Sequence, residues 1–360
     1  MRKLFICNTY SQFINALHMV LSVFKKYDCD VLITDQSLGF ESVYEKLCCR
    51  ENHIFDHIYF KKTKNLCIPH GIKGIADSFL KTVFGNNEFD DLELMYDEVI
   101  YYNYDFALLS IFDKISKKNS DVKFSKYEEG VLSYTHEFAY LKLKLVKICR
   151  RFIFKKNIIE KGQLFYCYFP EFYTGNKKTI KVPLINEDKN DVKNILFDCF
   201  DYKNENGENK YKYIFFTSVY DFEGGKAIGE YQTVEKIAKI IGKQNLLVKK
   251  HPRDSRDIYE KNGFNVEQKS SIPWEVMQFK FDLSKMVMLS VNSGAILSSS
   301  MLFENKSRAY FIFDMCDLQG NLLAQESIYN IEQLVGSLIF KKNYPNIQIL
   351  SDLKQLEEYE

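Results

Sequence analysis

Three short polar runs in the sequence combine the residue types needed for acid–base chemistry and for phosphate binding. They are an acid pair followed by glycine at 128–130, a His-Pro turn at 251–252, and an Asn-Ser-Gly run at 292–294. Each run is predicted to follow a β-strand, and in open α/β sheets ligands bind at the carboxyl ends of the strands. We therefore treat the three runs as the candidate functional residues.

The acid pair, Glu128 and Glu129, follows a strand predicted at 122–125. Two adjacent carboxylates repel each other, which raises the pKa of at least one of them toward the range of a general base. Gly130 lets the chain turn sharply and leaves both acids at the rim of the sheet. The alternative is an exposed turn with two solvated glutamates.

The His-Pro turn ends a strand, because Pro252 cannot donate to the hydrogen-bond ladder. Basic residues flank His251 on both sides: Lys249, Lys250 and Arg253. This pattern predicts a positive neighbourhood for a phosphate, to which His251 could donate a proton or a hydrogen bond. The alternative is a basic surface turn.

The third run lies where a strand predicted at 285–291 passes into a helix predicted at 294–303. Ser293 is a natural N-cap, and Gly294 lets a ligand approach the first-turn amides, which bind phosphate well. The alternative is an ordinary N-cap. Glu275, in the first turn of a short helix, could accept hydrogen bonds from a ribose or a base amine, and it would favour a helix start in any case.

Metal and cofactor signatures are weak. The pair Asp28 and Asp30 matches the D-x-D of metal-dependent sugar transferases, but it precedes a strand, whereas ligand residues follow strands. The six histidines show no metal-ligand spacing, and no G-x-G-x-x-G after a strand, Walker A, G-x-S-x-G or H-E-x-x-H run occurs. We expect a site that holds no metal and no cofactor.

Strand and helix signals alternate on both sides of a polar stretch at 186–212, which is rich in Asn, Asp, Glu and Lys. Such alternation predicts parallel sheets covered by helices, the α/β class. A polar stretch of this kind is typical of a domain boundary. We expect two Rossmann-like domains, an N-terminal one over 1–188 and a C-terminal one over 189–360, facing across a cleft.

Composition excludes several classes of protein. The 360 residues carry 49 Lys and Arg against 48 Asp and Glu, and a formal charge of +1 argues against a bulk electrostatic grip on nucleic acid. Nine cysteines, an odd number without a C-x-x-C, indicate reduced thiols in the cytoplasm. The N-terminus is predicted to be a first strand rather than a signal peptide, and no stretch approaches the ~20 apolar residues of a membrane span.

The segment 141–156 carries seven basic residues and no acid, interleaved with Leu, Ile and Phe. It could lie on an anionic membrane, where a lipid-linked acceptor is presented. The alternative is a solvated basic helix or loop. We therefore expect a cytoplasmic protein, with peripheral membrane contact left open.

Taken together, the acid–acid–glycine run, the His-Pro turn and the serine-containing run resemble, in this order, the bacterial sialyltransferases of two-domain GT-B architecture. The closest resemblance is to glycosyltransferase family 52, the lipooligosaccharide and capsule sialyltransferases. The residues at 5–12, running into 14–17, are also similar to that family's first strand and helix. The similar residues are scattered over about 4–300 of the chain.

The resemblance implies an inverting, metal-independent transfer of sialic acid from CMP-sialic acid to a sugar hydroxyl of a surface glycan. By position, Glu128 would be the general base with Glu129 beside it, and His251 would protonate or hydrogen-bond the CMP phosphate. The residues implied on the donor side are Lys249, Pro252, Glu275, Asn292, Ser293 and Gly294, and those on the acceptor side are Thr9, Gln12 and Gly130.

The chain departs from the family at Gly294, which stands where a second hydroxyl is expected, and it has glutamates where aspartate is commoner in the acid pair. A GT-B transferase using another nucleotide sugar therefore stays open. So do a nucleotide-sugar epimerase or hydrolase without an acceptor, and a catalytically silent partner in polysaccharide synthesis. The acceptor sugar, the linkage and the oligomeric state, a homodimer included, carry no sequence signal.

Overall fold

The computed structural model of the chain describes residues 1–64, 73–74, 76–77, 80–81, 89–92, 95–102, 105–130, 132–135, 162–185, 189–202, 210–269, 271–303 and 307–359. The basic segment 141–156 lies outside the described residues. The chain divides into two compact units. Unit 1 comprises Met1–Glu129, Ser133–Pro183 and Asn190–Asp201, and unit 2 comprises Gly130–Leu132, Leu184–Lys189 and Tyr202–Glu360.

Within the described residues, unit 1 is built on a seven-stranded sheet in which all neighbouring strands are parallel. Its strands are β1 (Arg2–Cys7), β2 (Asp28–Thr34), β3 (Ile58–Lys61), β4 (Glu98–Tyr101), β5 (Lys123–Tyr127), β6 (Gly162–Cys167) and β7 (Lys178–Lys181). The order across the sheet is β3-β2-β1-β4-β5-β6-β7. The described helices of this half are α1 (Tyr10–Leu21), α2 (Phe40–Cys48), α3 (Phe106–Lys118), α4 (Leu132–Thr135) and α5 (Lys189–Phe200).

Unit 2 carries, among the residues described, a six-stranded and again fully parallel sheet. Its strands are β8 (Tyr213–Phe216), β9 (Leu246–Lys249), β10 (Asn265–Val266), β11 (Val287–Ser290), β12 (Arg308–Phe311) and β13 (Ile347–Ile349), in the order β10-β9-β8-β11-β12-β13. Its described helices are α6 (Glu230–Ile241), α7 (Ile258–Lys261), α8 (Trp274–Met277), α9 (Gly294–Met301), α10 (Leu322–Gly336) and α11 (Leu338–Asn343).

The two sheets share one strand order. In each, the first strand along the chain lies inside the sheet, the next two strands extend to one side and the later strands to the other. This is the doubly wound order of Rossmann folds, in which ligands bind where the order reverses. The reversals lie between β1 and β4 and between β8 and β11. The prediction of two Rossmann-like parallel-sheet domains is confirmed.

Local hydrogen bonds determine where helix α1 begins and ends. The Thr9 hydroxyl oxygen accepts a hydrogen bond from the Gln12 N–H and so caps the helix. The helix ends at Leu21, where the hydroxyl and the N–H of Ser22 both donate to the His18 carbonyl, at 2.6 and 2.9 Å, and close the last turn.

The polar stretch predicted as a boundary is partly helical. Helix α5 begins at Lys189, and its side chains contact unit 1: Asp198 pairs with Arg50, and the Phe200 ring packs edge-on against Tyr10 at 5.0 Å between centroids. The domain limits of 1–188 and 189–360 stay predictions, since compact units need not coincide with independently folding domains. Within the described ranges, no helix is long and apolar enough to span a membrane.

The D-x-D pair lies at the amino end of β2, and its two acids differ in surroundings. Asp28 is exposed, whereas Asp30 is fully buried. Asp30 binds the Arg2 guanidinium at 2.9 Å and accepts a hydrogen bond from the Tyr96 hydroxyl at 2.7 Å. Across the described residues, no group of three or more His, Cys, Asp or Glu side chains is placed to hold a metal ion. Asp30 is therefore a structural ion-pair partner.

We expect Asp30→Ala to lower the free energy of unfolding by about 3 kcal/mol, because it leaves the Arg2 guanidinium and the Tyr96 hydroxyl without their shared partner. The matched control Asp28→Ala, at an exposed position, is expected to stay within about 0.5 kcal/mol of the parent. Urea unfolding followed by circular dichroism measures both. Equal costs for the two substitutions would contradict the structural role of Asp30.

Candidate active site

Three elements fix the main chain of the acid pair. Glu128 directly follows β5, and its N–H donates to the Tyr166 carbonyl of β6 at 3.0 Å, which extends the sheet ladder by one residue. The Asn15 amide of α1 donates to the Glu128 carbonyl at 2.7 Å. The Glu129 N–H donates to the Ser133 hydroxyl of α4 at 2.9 Å. The acid pair is thus held at the carboxyl edge of the sheet rather than in a solvated turn.

The Glu128 side chain is buried, with 6% of its surface exposed. Its Oε2 accepts hydrogen bonds from the Tyr134 hydroxyl and, at 2.9 Å, from the Tyr168 N–H. Burial raises the pKa of this carboxyl to about 7, and the two hydrogen bonds oppose the rise. A carboxyl with this pKa exchanges its proton near neutrality, as a general base must.

Glu129 is half-buried and points toward the start of α1. Its Oε1 accepts a hydrogen bond from the Thr9 hydroxyl, and burial raises the pKa of its carboxyl. Gln12 is fully buried: its Oε1 accepts from the Asn8 N–H at 2.7 Å, and its side-chain amide, like the Thr9 hydroxyl, opposes the rise in the pKa of Glu129. The structure therefore brings Thr9 and Gln12, predicted on the acceptor side, together with the acid pair.

Gly130 follows the acid pair with φ +151°, in the range that favours glycine. Nothing lies within 4 Å of the position that a Cβ would take there. The turn expected after the acid pair is present.

In the His-Pro turn at the end of β9, the surroundings of His251 favour the neutral imidazole. The His251 N–H donates to the buried Thr217 hydroxyl at 2.8 Å, and its Nδ1 accepts from the Arg253 N–H at 3.1 Å. Desolvation, with the nearby charges of Arg253 and Lys249, lowers the pKa of the half-buried His251 to about 4. At neutral pH the ring is uncharged, and its proton sits on Nε2 because Nδ1 is an acceptor.

Two of the three basic residues that flank His251 also form ion pairs with acids. Lys250 binds Glu260 at 2.7 Å, and Arg253 binds Glu223 at 2.8 Å. The Lys249 side chain is buried, and desolvation lowers its pKa to about 8. Acids distant in sequence thus offset part of the predicted positive charge, whereas Arg253 and Lys249 still act on the His251 ring.

The other residues implied on the donor side lie around the reversal between β8 and β11. The carboxylate of Glu275 accepts a hydrogen bond from the Ser298 hydroxyl at 2.9 Å and helps to keep the Lys249 ammonium charged. Asn292 donates to the Tyr220 hydroxyl at 2.6 Å. Pro252 is exposed.

Ser293 caps α9 as predicted, accepting from the Ala295 N–H at 3.3 Å. Its own N–H and that of Asn292 both donate to the Ser290 hydroxyl, at 2.9 and 3.2 Å. Gly294 is exposed, and no atom of the described residues outside its immediate chain neighbours lies within 4 Å of where a Cβ would stand, which leaves room for a ligand at the first turn of the helix.

Several residues that shape both groups escaped the sequence analysis. Tyr134, Tyr168 and Asn15 hold Glu128. The two tyrosines belong to no motif, and Asn15, although it lies in the stretch 14–17, was given no role. In unit 2, the fully buried Glu230 accepts from the Ser218 N–H at 2.7 Å, and burial raises the pKa of its carboxyl to about 7. The only signal for Tyr134 was its position six residues after Glu128.

No protein-family model matches the chain, and no curated protein matches it as a relative. Solved structures do match. An α/β-galactoside α-2,3-sialyltransferase from the luminous marine bacterium Photobacterium phosphoreum is 12% identical, covering 98% of this chain and 99% of its own, with a TM-score of 0.50. The calicheamicin glycosyltransferase CalG4 is 10% identical, covering 99% of this chain and 88% of its own, with a TM-score of 0.51.

The chain has the GT-B fold. At these identities the likeness concerns the fold alone. The two groups of residues therefore have to be interpreted from their own geometry.

The protonation state of His251 is directly testable. We expect ¹⁵N-edited NMR of the histidine rings, assigned with His251→Gln, to show a neutral imidazole protonated on Nε2 at pH 7 and titrating near pH 4. The cause is desolvation together with the neighbouring positive charges. A ring that titrates at or above pH 6, or that carries its proton on Nδ1, would refute this assignment.

Proposed function

We propose that the chain is an inverting sialyltransferase that moves sialic acid from CMP-sialic acid to a sugar hydroxyl of a surface glycan. The observation that carries the proposal is the Glu128 carboxyl, which is buried at the carboxyl edge of a GT-B sheet and has a pKa of about 7. The sialyltransferase with the same fold and the family resemblance of the three polar runs support it. Membership of family 52 is part of the proposal.

Glu128 would act on the acceptor. As a carboxylate it takes the proton of the acceptor hydroxyl while that oxygen forms a bond to the anomeric carbon of the sialic acid. The bond between this carbon and the phosphate oxygen breaks, and CMP leaves with the electron pair. A single displacement of this kind inverts the anomeric configuration.

His251 would act on the leaving group. Its neutral ring can donate the Nε2 hydrogen to a phosphate oxygen of CMP, and the charge that develops on that oxygen raises the affinity of the ring for its proton. Ser293 and the first-turn N–H groups of α9 supply further donors. Glu275 would bind the ribose of the donor.

The charge balance of unit 2 favours a single phosphate. Lys250 and Arg253 are already paired with Glu260 and Glu223, which offsets part of the positive charge that Arg253 and Lys249 bring to His251. CMP-sialic acid places one phosphate there, whereas a nucleoside diphosphate sugar places two and needs more neutralisation. The departure at Gly294 favours the second candidate, a GT-B transferase using another nucleotide sugar.

Further parts of the proposal concern the cell. The family resemblance suggests a lipooligosaccharide or capsule acceptor and a reaction without a metal. The sequence suggests a cytoplasmic location on the inner face of the membrane, with membrane contact through 141–156. They are proposed together with the reaction.

Calorimetric titration with CMP, CDP, UDP and GDP tests the donor. We expect CMP to bind most tightly, and His251→Ala and Ser293→Ala to weaken it by about tenfold or more, since each removes a hydrogen bond to a charged phosphate. Glu128→Gln, on the other unit, is the matched control and should bind CMP normally. Tight binding of UDP without binding of CMP would reject the proposed donor and select the second candidate.

Turnover of CMP-sialic acid tests the roles of the two residues. Glu128→Gln should lower kcat by about 10²–10⁴-fold without changing CMP affinity, and His251→Ala should lower kcat by about 10²–10³-fold. In the parent, kcat/KM should rise with pH through about 7, because Glu128 acts only when deprotonated. The exposed His53→Ala is the control. Near-normal turnover in either of the first two variants refutes the role given to that residue.

A further inference from the structure

The two oxygens of the Glu128 carboxyl have different surroundings. Oε2 accepts two hydrogen bonds, from the Tyr134 hydroxyl and from the Tyr168 N–H. Oε1 accepts none from the portion of the chain that the structure describes. One oxygen is therefore engaged by the protein, and the other is left for a group that comes from outside.

The Tyr134 hydroxyl donates its hydrogen bond to Glu128. Its oxygen accepts from the Phe169 N–H at 3.2 Å, so its single hydrogen is committed to Glu128. The Tyr134 carbonyl accepts from both the N–H and the hydroxyl of Thr174, each at 3.1 Å. The ring lies edge-on to Phe165 and Phe172, with centroids 6.1 and 6.2 Å away. Tyr134 is locked at both its main chain and its ring.

The second donor is held by a buried chain of polar groups. The Tyr168 hydroxyl donates to Asn15 Oδ1 at 3.1 Å, and the same Asn15 donates from Nδ2 to the Glu128 carbonyl. Since the Tyr168 hydroxyl has one hydrogen, the contact of 3.1 Å with His18 Nδ1 is a donation from the imidazole. His18 and Tyr168 are also stacked, at 5.7 Å between centroids. The network ties side chain and main chain of Glu128 to α1.

We propose that the Tyr134 hydroxyl and the Tyr168 N–H form a clamp on Oε2 of Glu128, so that Oε1 alone receives the transferred proton. Tyr134 is then a positioning residue that sets the pH at which the base works. The naming of Glu128 as the base rests on the proposed function, whereas the clamp itself does not.

Four other titratable groups lie around Glu128 in the described part of the chain. Cys167 at the end of β6 and Tyr102 after β4 lie near it, and burial raises the pKa of both. Glu129 is held by Thr9, and His18 lies behind Tyr168. Among the residues that the structure describes, the two hydrogen bonds of the clamp are what opposes the effect of burial on Glu128, since both lower the pKa of this carboxyl. Removing one must raise that pKa.

The test is Tyr134→Phe, which keeps the ring and removes the hydroxyl. We expect the rise of kcat/KM with pH to move upward by about one pH unit, which means about fivefold lower activity at pH 7 and recovery well above it. The carboxyl resonance of ¹³C-labelled Glu128, assigned with Glu128→Gln, should shift its titration by the same amount. The matched control is Tyr96→Phe, which removes a donor to the buried Asp30 and should leave both curves unchanged.

A second variant guards against misfolding of the first. Difluorotyrosine at position 134 keeps the shape and is a stronger donor, so both curves should move to lower pH. Unchanged titration of the Glu128 carboxyl in Tyr134→Phe or in the difluorotyrosine protein would overturn the clamp. Because the NMR titration uses no substrate, a shifted carboxyl in a chain without sialyl transfer would uphold the clamp and reject the proposed function instead.

Discussion

Every neighbouring strand pair that the structure describes is parallel, and this constraint organises both units. Parallel strands cannot be joined by tight hairpins, so the chain leaves each strand at the same edge and returns through a helix. Residues far apart in sequence therefore meet where strands end. Asn15 reaches Glu128 across 113 positions, and the Thr217 N–H reaches the Lys249 carbonyl. Without the common polarity of the strands neither group of polar residues would form.

Burial drives the protonation chemistry at both edges toward neutral forms. It raises the pKa of Glu128 and lowers the pKa of His251 and Lys249, since a low-dielectric environment disfavours every charged state. The pKa values of Glu128 and Lys249 are thereby brought closer to neutral pH, whereas that of His251 moves away from it. Glu128 and His251 differ in the groups around them. A tyrosine hydroxyl and a main-chain N–H oppose the effect of burial on the pKa of Glu128, whereas neighbouring cations add to the effect of burial on the pKa of His251.

The sequence predicted those parts of the fold and the site that depend on local pattern. The alternation of strands and helices, the acid pair after β5, the His-Pro turn after β9 and the cap at Ser293 all have local signatures. The partners do not. Tyr134 and Tyr168 are two of 24 tyrosines, and nothing near them in sequence points to Glu128. The ion-pair partners of the basic turn escaped prediction for the same reason, because Glu223 and Glu260 come to it only through the fold. Short or half-exposed strands such as β3 and β7 lack a clear periodicity, and they too went unpredicted.

The buried carboxyls also make the two units respond differently to acid. Glu128 has a higher pKa in the folded chain than when solvated, so unit 1 takes up a proton on folding, and the stability this confers below about pH 4.5 is lost as pH rises through 7. In unit 2, Glu230 acts in the same direction. There His251, with its lowered pKa, releases a proton on folding and adds stability as pH rises from about 4 to 6.5. In unit 2 the pH-dependent contributions of Glu230 and His251 to the free energy of unfolding have opposite signs. Among these three groups, the contribution of Glu128 to unit 1 has no such counterpart. Through these groups, mild acidification therefore stabilises the unit that carries the acid pair relative to the unit that carries the His-Pro turn.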